Sequence, residues 1–385
     1  ILAVSLLFTL CFVYGGPSLL KIFPFLFKFI GRLLGSSFSK NSEGGKITIG
    51  NIELTDSDRV RHTHIVGATG SGKTVLLESL IYEDIRQGRG AFIIDPKGDR
   101  ELFDRIKKFT KEIGRESDLH LLSAVHQLES ARWNPCRLGT ASEIQSKLLN
   151  CSTFSEPFYQ KACESSLLAA VTEAVKENPH FHLPHLLSRL KDEKNEHVQG
   201  LHFDFSNLIN TEWKEILCAA PPEKTTREIS LLDIIRKNEI LFVDLPTEGK
   251  SVQSTKIGKL LLQEIMLVSG LRKTFPELRS RTPFSVFVDE FDAFATESFA
   301  TFQNKARSSN FMIHLAHQTL SDLDEVGPNF KNKILGNTNI RFVFRQDIPE
   351  DAETWASFFG TKLVVKSTFR STDGQETGEA SNRLS

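Results

Sequence analysis

The sequence predicts an α/β fold with a mostly parallel sheet, an inserted all-α domain and an N-terminal transmembrane helix. From about residue 46 onward, apolar strands alternate with amphipathic helices, which is typical of α/β proteins. Several strands are continuous apolar runs, such as Ile240-Leu241-Phe242-Val243, as expected when a parallel sheet is covered on both faces. No charged residue interrupts the mostly apolar run from Ile1 to Leu20, which is about long enough to cross a hydrocarbon core.

The same patterns predict the order of the elements. We expect strands near residues 62–66, 91–94, 118–122, 240–244, 284–288, 311–316 and 340–344, and helices near 74–87, 252–270 and 351–359. Helical periodicity dominates between residues 140 and 235, for example from Leu183 to Leu190. The predicted organisation is a transmembrane helix at 1–20, a juxtamembrane segment and linker at 21–45, an α/β domain at 46–139 and 236–368, an all-α insertion at 140–235 and a loose polar tail at 369–385.

The charges that follow the apolar run predict its orientation in a membrane. Only Glu43 opposes a group of basic residues, which consists of Lys21, Lys28, Arg32, Lys40 and Lys46. The positive-inside rule therefore predicts that the chain after residue 20 lies in the cytoplasm. Residues 22–35 could form an interfacial helix or a second hydrophobic segment broken at Pro24. A cleaved signal peptide is the alternative, although no basic region precedes the run, and the first residue, Ile1, indicates a fragment.

Composition argues against several classes of site. Lys and Arg total 47 of the 385 residues and Asp and Glu total 48, so the formal charge of −1 shows no overall basic excess of the kind that marks a nucleic-acid binder. No C-x-x-C spacing joins the cysteines, which favours buried reduced thiols; they are Cys11, Cys136, Cys151, Cys163 and Cys218. His180, His182 and His185 could suggest a metal site, but a helix entry around Pro184 is the simpler interpretation.

A phosphate-binding loop is the most specific motif of the chain. The residues Gly67-Ala68-Thr69-Gly70-Ser71-Gly72-Lys73-Thr74 match G-x-x-x-x-G-K-[ST] at every fixed position. In such a loop, glycines let the backbone N–H groups turn inward around the phosphates of ATP or GTP. Lys73 would add a positive charge at the β and γ phosphates, and the Thr74 hydroxyl would ligate Mg²⁺. An apolar strand precedes the loop and an amphipathic helix follows it, as the motif requires.

A second motif of phosphate chemistry lies far downstream. The strand Phe284-Ser285-Val286-Phe287-Val288 ends in Asp289-Glu290, which is the Walker B pattern. Asp289 would hold Mg²⁺ through water, and Glu290 would polarise the attacking water. The alternative is an ordinary buried strand followed by a solvated acidic turn. The phosphate-binding loop favours the first interpretation, because an ATPase requires such a strand.

Two further polar residues are candidates for the same chemistry. Gln318 ends the next predicted strand, where an amide can sense the γ-phosphate and orient water. Arg307 lies on the helix before that strand. It could be an exposed helix residue, or an arginine finger offered to a neighbouring subunit.

Taken together, these motifs resemble the TraD/TraG-type coupling proteins of conjugative type IV secretion, with F-type TraD as the closest. The resemblance covers about residues 45–365. It is carried by Arg61-His62, the phosphate-binding loop, Ile93-Ile94-Asp95-Pro96-Lys97-Gly98-Asp99, Arg132-Trp133-Asn134-Pro135, the stretch from Phe287 to Phe294, and Arg307 followed eleven residues later by Gln318.

The resemblance implies an inner-membrane ATPase that forms a homo-hexamer and binds ATP and Mg²⁺. Such a protein receives a relaxase-bound single DNA strand and passes it to the secretion channel, and its RecA-like and all-α domains face the cytoplasm. By position, the residues that match the family's nucleotide site are Lys73, Thr74, Asp289, Glu290, Gln318, Arg307 and Arg61. Lys97 and Arg100 could face the interior of the ring, or belong to a solvated turn begun by Pro96.

Two other function classes remain open. A double-stranded DNA translocase of the FtsK or HerA type would share the phosphate-binding loop and the Walker B strand. A secretion ATPase that pumps protein would share them without touching DNA. The preferred type of DNA strand separates the first class from a coupling protein, and stimulation of hydrolysis by DNA separates the second.

Overall fold

The computed structural model describes residues 45–152, 154, 157–191, 195–218, 227–248, 251–278, 282–360, 365–372 and 375–384. The strands are β1 Lys46–Ile49, β2 Ile52–Thr55, β3 Thr63–Val66, β4 Ala91–Asp95, β5 Leu119–Ser123, β6 Arg132–Trp133, β7 Glu228–Ile229, β8 Ile240–Asp244, β9 Phe284–Val288, β10 Phe311–His317, β11 Ile340–Val343, β12 Val365–Thr372 and β13 Gln375–Leu384. The helices are α1 Asp56–Arg59, α2 Lys73–Arg86, α3 Arg100–Glu112, α4 Ala141–Asn150, α5 Pro157–Glu177, α6 Leu183–Leu190, α7 Glu196–Ile209, α8 Lys214–Leu217, α9 Leu231–Lys237, α10 Ser251–Thr274, α11 Glu297–Ala306, α12 Phe330–Asn337 and α13 Pro349–Phe359.

One parallel sheet organises the described part of the chain. Its strand order is β11-β3-β10-β9-β4-β8-β5, and every neighbouring pair runs parallel. This confirms the predicted α/β fold with a mostly parallel sheet. The predicted transmembrane helix at 1–20 lies outside the described residues. Among the residues that are described, no helix is long and apolar enough to cross a membrane.

Both faces of the sheet are covered, which explains the continuous apolar runs. Successive side chains of a strand point to opposite faces. In β8, Leu241 and Val243 pack into a core shared with α4 to α7 and α10, whereas Ile240 and Phe242 pack into a second core shared with α2 and α3. The first four positions of β8 are therefore all buried and apolar.

The helices α4 to α8 lie between the short paired strands β6 and β7 and are anchored to α10. The Trp133 indole Nε1 donates to Glu264 Oε1 at 3.1 Å, and the Lys147 ammonium pairs with Glu264 Oε2 at 2.8 Å. The Asn134 amide donates to the Phe181 carbonyl at 2.8 Å. Trp133 and Asn134, which contributed to the family resemblance, thus hold the helical region in place. The division into domains at 140 and 235 stays a prediction.

A buried ion-pair network joins α1 and α2 to β9 and β10. The Asp84 carboxylate accepts hydrogen bonds from both terminal nitrogens of Arg59, at 2.5 and 2.7 Å, and from Arg89 at 3.0 Å. The Ser285 hydroxyl donates to it at 2.6 Å, and Arg59 also contacts His314 Nε2 at 3.1 Å. Because the two guanidiniums hold Asp84 ionised, its pKa falls to about 2 although burial acts to raise it.

Four histidines are buried on or next to β3 and β10: His62, His64, His314 and His317. Burial lowers the pKa of His62 and His317 to about 4, and it lowers the pKa of His64 and His314 well below the ordinary value. Each ring is therefore neutral at pH 7.

The described cysteines are free thiols, and two of the three neighbouring histidines pair with acidic residues. Cys136, Cys151 and Cys163 are buried free thiols, and Cys218 is a partly buried one, while Cys11 lies outside the described residues. His182 contacts Glu228 at 2.9 Å and His185 contacts Glu177 at 3.3 Å. Within the described residues, no group of His, Cys, Asp and Glu could hold a metal ion by itself.

The stretch after Ser371, whose polar composition suggested a loose chain, contains strand structure, while the start of a polar tail at 369 stays a prediction. Strands β12 and β13 pair as an antiparallel hairpin, with a register shift between Phe369 and Ser371. The stretch from 365 to 372 is rich in β-branched and aromatic residues, and Asp373-Gly374 is the dipeptide that favours tight hairpin turns. A polar composition therefore hid a strand pattern. The short hairpin of β1 and β2 was likewise not predicted.

Candidate functional site: a phosphate-binding edge of the sheet

The phosphate-binding loop leaves the carboxyl end of β3 and leads into α2. Gly70 has φ 71° and Gly72 has φ 108°, so the turn uses a conformation that favours glycine. At Gly67 the constraint is steric, because a Cβ atom would lie 2.5 Å from Phe344 Cβ. The loop after β11 packs this closely against the phosphate-binding loop, and the Ala68 N–H donates to the Arg345 carbonyl at 2.8 Å.

Lys73 turns back over the loop that precedes it. Its ammonium donates to the Gly67 carbonyl at 2.5 Å and to the Ala68 carbonyl at 3.2 Å. Burial lowers the pKa of Lys73, and the nearby Asp289 carboxylate opposes this shift. The lysine is therefore positioned within the loop whose backbone is shaped for phosphates, as the motif predicts.

Asp289 lies at the carboxyl end of β9 and faces α2. The Thr74 hydroxyl donates to Asp289 Oδ2 at 3.4 Å. The Lys97 ammonium lies against both groups, 2.8 Å from Thr74 Oγ1 and 2.7 Å from Asp289 Oδ2. Burial acts to lower the pKa of Lys97, but Asp289 more than offsets this, so the pKa is raised. Thr74 and Asp289, the two residues predicted to hold Mg²⁺, therefore lie together, and both already contact the Lys97 ammonium.

Glu290 follows Asp289 in a left-handed backbone conformation, with φ 44° and ψ 51°. This is uncommon for a residue with a side chain and costs on the order of 1 kcal/mol or more. Its N–H donates to Asp289 Oδ1 at 3.0 Å. Burial raises the pKa of Glu290, and the neighbouring Asp289 charge adds to the effect. A raised pKa and a strained backbone are both typical of functional carboxylates.

Gln318 follows the last residue of β10, next to the phosphate-binding loop. Its Oε1 accepts a hydrogen bond from the Thr69 hydroxyl at 2.9 Å. A cavity of about 200 Å³ opens beside these two residues, and its other wall is the loop from Arg345 to Ile348. This wall cannot be predicted from the sequence motifs, because it depends on β11 being the neighbour of β3.

Arg61 and Arg307 are not brought to this edge. Arg61 precedes β3 and Arg307 precedes β10, so both lie at the amino edge of the sheet, opposite the phosphate-binding loop. His62, between them, contacts the Gln303 carbonyl at 2.8 Å, and Arg307 is near enough to contribute to its lowered pKa. The structure therefore gathers the residues Gly67 to Thr74, Asp289, Glu290 and Gln318, and it places the two arginines together elsewhere.

Lys97 lies on a turn after β4 and its side chain is 40% exposed, which agrees with the solvated turn that the sequence allows, but its ammonium also contacts Asp289. A position facing a ring interior stays a prediction. Arg100 pairs with Glu129 at 2.9 Å and with Asp104 at 3.1 Å. The reason is the pairing of β4 with β9, in which Ile94 lies opposite Val288 and brings the turn after β4 beside Asp289. The sequence signal for this contact was a lysine two positions beyond the end of β4.

Comparison with known proteins identifies the family of the chain. The model of the AAA-like domain family matches residues 55–376. The type 4 coupling protein DotL of Legionella pneumophila is 23% identical over an alignment 417 residues long. The alignment covers 85% of this chain and 52% of DotL. The chain therefore spans about half the length of that curated relative.

Solved structures share the fold. The unbound conjugative coupling protein TrwB has a TM-score of 0.59 at 15% identity, with 92% of this chain and 84% of that chain covered. A TrwB complex with ADP and Mg²⁺ has a TM-score of 0.55 at 16% identity, with 81% and 76% covered. VirB4 of Thermoanaerobacter pseudethanolicus has a TM-score of 0.54 at 15% identity, with 84% and 89% covered.

These matches confirm the predicted resemblance to type IV coupling proteins, whereas particular closeness to F-type TraD stays a prediction. The family model covers most of the chain, from the end of β2 to within β13. The chain therefore belongs to the family of proteins with an AAA-like domain.

Proposed function

We propose that this chain is the ATPase part of a type IV secretion coupling protein, which uses ATP hydrolysis to move single-stranded DNA and its relaxase toward the secretion channel. One observation carries the proposal. The phosphate-binding loop, Asp289, Glu290 and Gln318 converge on the carboxyl edge of a parallel sheet, and Arg307 lies at the opposite edge. This division fits an ATPase that completes its site across a subunit interface.

The residues suit ATP with Mg²⁺. The Thr74 hydroxyl and the Asp289 carboxylate are oxygen donors of the kind that Mg²⁺ prefers, and both already contact a cation, the Lys97 ammonium. When bound, Mg²⁺ would neutralise charge that develops on the phosphates. Lys73 would contact the β and γ phosphates, and the backbone N–H groups from Gly67 to Gly72 would hold them.

Glu290 and Gln318 would act on the attacking water. A carboxylate whose pKa is raised by burial accepts a proton more readily than an exposed one, which suits Glu290 as general base. Gln318 lies within reach of Thr69 of the loop, so its amide can orient the water beside the γ-phosphate. Arg307, with Arg61 beside it on the same edge, would reach the phosphates of a neighbouring subunit in a homo-hexamer.

Stimulation of hydrolysis by DNA tests the proposal and separates the alternatives. ATP hydrolysis by the purified chain should rise with single-stranded DNA and rise less with a double-stranded oligonucleotide of equal phosphate content. Preference for the duplex would favour a translocase of the FtsK or HerA type. Hydrolysis that responds to neither would favour a protein-pumping secretion ATPase. Because phosphate contacts dominate such binding, the stimulation should weaken as salt rises.

We also propose an inner-membrane location, with the ATPase facing the cytoplasm. The proposal depends on the apolar run from Ile1 to Leu20 and the basic residues after it. A reporter fused at Ser37 should be active in the cytoplasm, and deletion of residues 1–35 should release the protein from the membrane. A periplasmic signal from the fusion would contradict the proposed orientation.

A further inference from the structure

Lys97 makes a contact that the proposed chemistry does not explain. Its ammonium bridges Thr74 Oγ1, at 2.8 Å, and Asp289 Oδ2, at 2.7 Å. These are the two side chains that the proposed function assigns to Mg²⁺. Asp289 is buried, whereas the side chain of Lys97 is 40% exposed, so the lysine has solvent beside it into which it can withdraw.

The turn that carries Lys97 is held firmly. The Asp95 carboxylate accepts the backbone N–H of Lys97 at 3.2 Å and that of Asp99 at 2.8 Å. Gly98 has φ 66°, and a Cβ atom there would lie 3.1 Å from Pro246 Cβ. Backbone hydrogen bonds from Leu245 and Thr247 to the carbonyls of residues 95 and 96 fix the turn to the end of β8. The backbone therefore aims the lysine at Asp289, and only the side chain is free to move.

The Lys97 ammonium and a magnesium ion cannot use the same oxygens at once. Mg²⁺ binds oxygen at about 2.0–2.1 Å and requires a near-octahedral shell. The ion would bind Thr74 Oγ1 directly and Asp289 Oδ2 through a bound water. An ammonium within hydrogen-bond distance of both oxygens takes the lone pairs that the ion and its water need, together with the space of the shell. Two cations this close would also repel each other strongly.

We propose that Lys97 is an internal counter-cation of the nucleotide site that competes with Mg²⁺ for Thr74 and Asp289. This inference rests on the proposed function, because it assumes that those two residues hold the metal. Lys97 neutralises the buried Asp289 carboxylate when the metal is away, and it swings out when Mg²⁺ enters with the nucleotide. It is a positioning residue, and it sets how much Mg²⁺ the site requires.

The test is a Mg²⁺ titration of nucleotide binding, which does not depend on turnover. Binding of a fluorescent ADP analogue to the purified full chain is followed by anisotropy in wild type, Lys97→Met and Lys97→Arg. Lys108→Met is the matched control, because Lys108 is an exposed lysine on α3. We expect the Mg²⁺ concentration at half-saturation to fall at least about threefold in Lys97→Met, since a charge-assisted hydrogen bond no longer competes. Lys97→Arg and Lys108→Met should stay near the wild-type value.

A second measurement covers the metal alone. MgCl₂ without nucleotide should raise the melting temperature of Lys97→Met more than that of wild type, because Asp289 has lost its partner in the variant. If Lys97→Met does not fold, Lys97→Gln replaces it, since glutamine also removes the charge.

Three outcomes are informative. A lower half-saturating Mg²⁺ concentration in Lys97→Met with rescue in Lys97→Arg supports the proposal. An unchanged or higher concentration overturns it. Equal loss of affinity with and without Mg²⁺ also overturns it and indicates that Lys97 contacts phosphate. Wild-type protein that binds the analogue with no Mg²⁺ dependence would instead contradict the assignment of Thr74 and Asp289 to Mg²⁺ in the proposed function.

Discussion

Arg307→Ala is the substitution that tests whether the site is completed by a second subunit. Arg307 lies four residues before the first residue of β10, and Gln318 directly follows the last one. The six steps of about 3.3 Å between its seven residues make β10 roughly 20 Å long. An arginine side chain is much shorter than this distance. The Arg307 guanidinium therefore cannot reach phosphates held by its own loop, and any direct role must be played in a neighbour.

The size of the effect follows from that geometry. An arginine finger contributes about 10³–10⁵ to the turnover of a P-loop enzyme. Arg307→Ala should lose most turnover but bind ATP almost normally, because all the residues around the loop are unchanged. Lys305→Ala is the matched control, since it removes an exposed charge from the same helix end. It should keep near wild-type turnover.

Mixing of two inactive variants is the decisive assay. Lys73→Ala lacks a working loop but keeps its arginine, and Arg307→Ala has the reverse defect. In a ring assembled from equal amounts, about a quarter of the interfaces join an intact loop to an intact arginine, because each head-to-tail interface draws its two sides independently. Phosphate release should therefore recover to about that fraction, and wild-type activity should rise faster than linearly with protein concentration.

A role of Arg307 in a neighbouring subunit is refuted if the mixture stays inactive although sizing shows that the two variants co-assemble. The same holds if wild-type turnover per subunit is independent of concentration down to the monomer. Either result would mean that Arg307 acts through the packing of its own subunit. The contact between His62 and the Gln303 carbonyl would then be the next one to test by substitution, since it lies beside Arg307.

Further predictions concern the carboxylates and the buried polar groups. Glu290→Gln should keep ATP bound in a filter-binding assay but release phosphate about 10²-fold more slowly or worse. Lys73→Ala should lose ATP binding as well. Normal turnover in Glu290→Gln would remove that residue from the mechanism. Asp84→Asn should lower the free energy of unfolding in urea by about 3–5 kcal/mol, because it leaves the buried Arg59 guanidinium without its carboxylate and takes one of two carboxylate partners from Arg89. A change below about 1 kcal/mol would contradict this role. Between pH 6.5 and 4 the unfolded chain binds more protons than the native one at His62 and the other buried histidines, so stability should fall as the pH falls. Asp95, whose pKa burial raises to about 6, opposes this only in part, and stability that rises on acidification from pH 7 to 5 would refute the assignment.

Most of the sheet was predictable because its inner strands are buried on both faces. Mostly apolar runs of four to seven residues leave little choice of register or length. Each of the seven predicted strands is present, with ends within one residue of the structure. The helix after β3 was predicted to within one residue, whereas the helix after β8 ends four residues later than predicted. The strands outside this sheet were not predicted, and among them β6 and β7 have two residues each and β13 is almost wholly polar.

The nucleotide motifs were predictable because their chemistry fixes residue types at fixed spacings along the chain. What such spacings cannot give is the order of strands in the sheet. The wall formed by Arg345 to Ile348 and the inward position of Lys97 both follow from that order, in which β11 lies beside β3 and β4 lies beside β9.

The case of Lys97 shows how the two kinds of information combine. Once β4 is known to pair with β9, Asp95 and Asp289 must lie at the same edge, one strand spacing apart, or about 4.8 Å. A turn pinned by the Asp95 carboxylate then projects its second residue over the neighbouring strand end. Any long cationic side chain at that position would meet the buried Asp289. The strand that pairs with the Walker B strand ends in an acidic residue, and a basic residue follows two positions later. In a sequence, this pattern therefore indicates a side chain that competes with the metal.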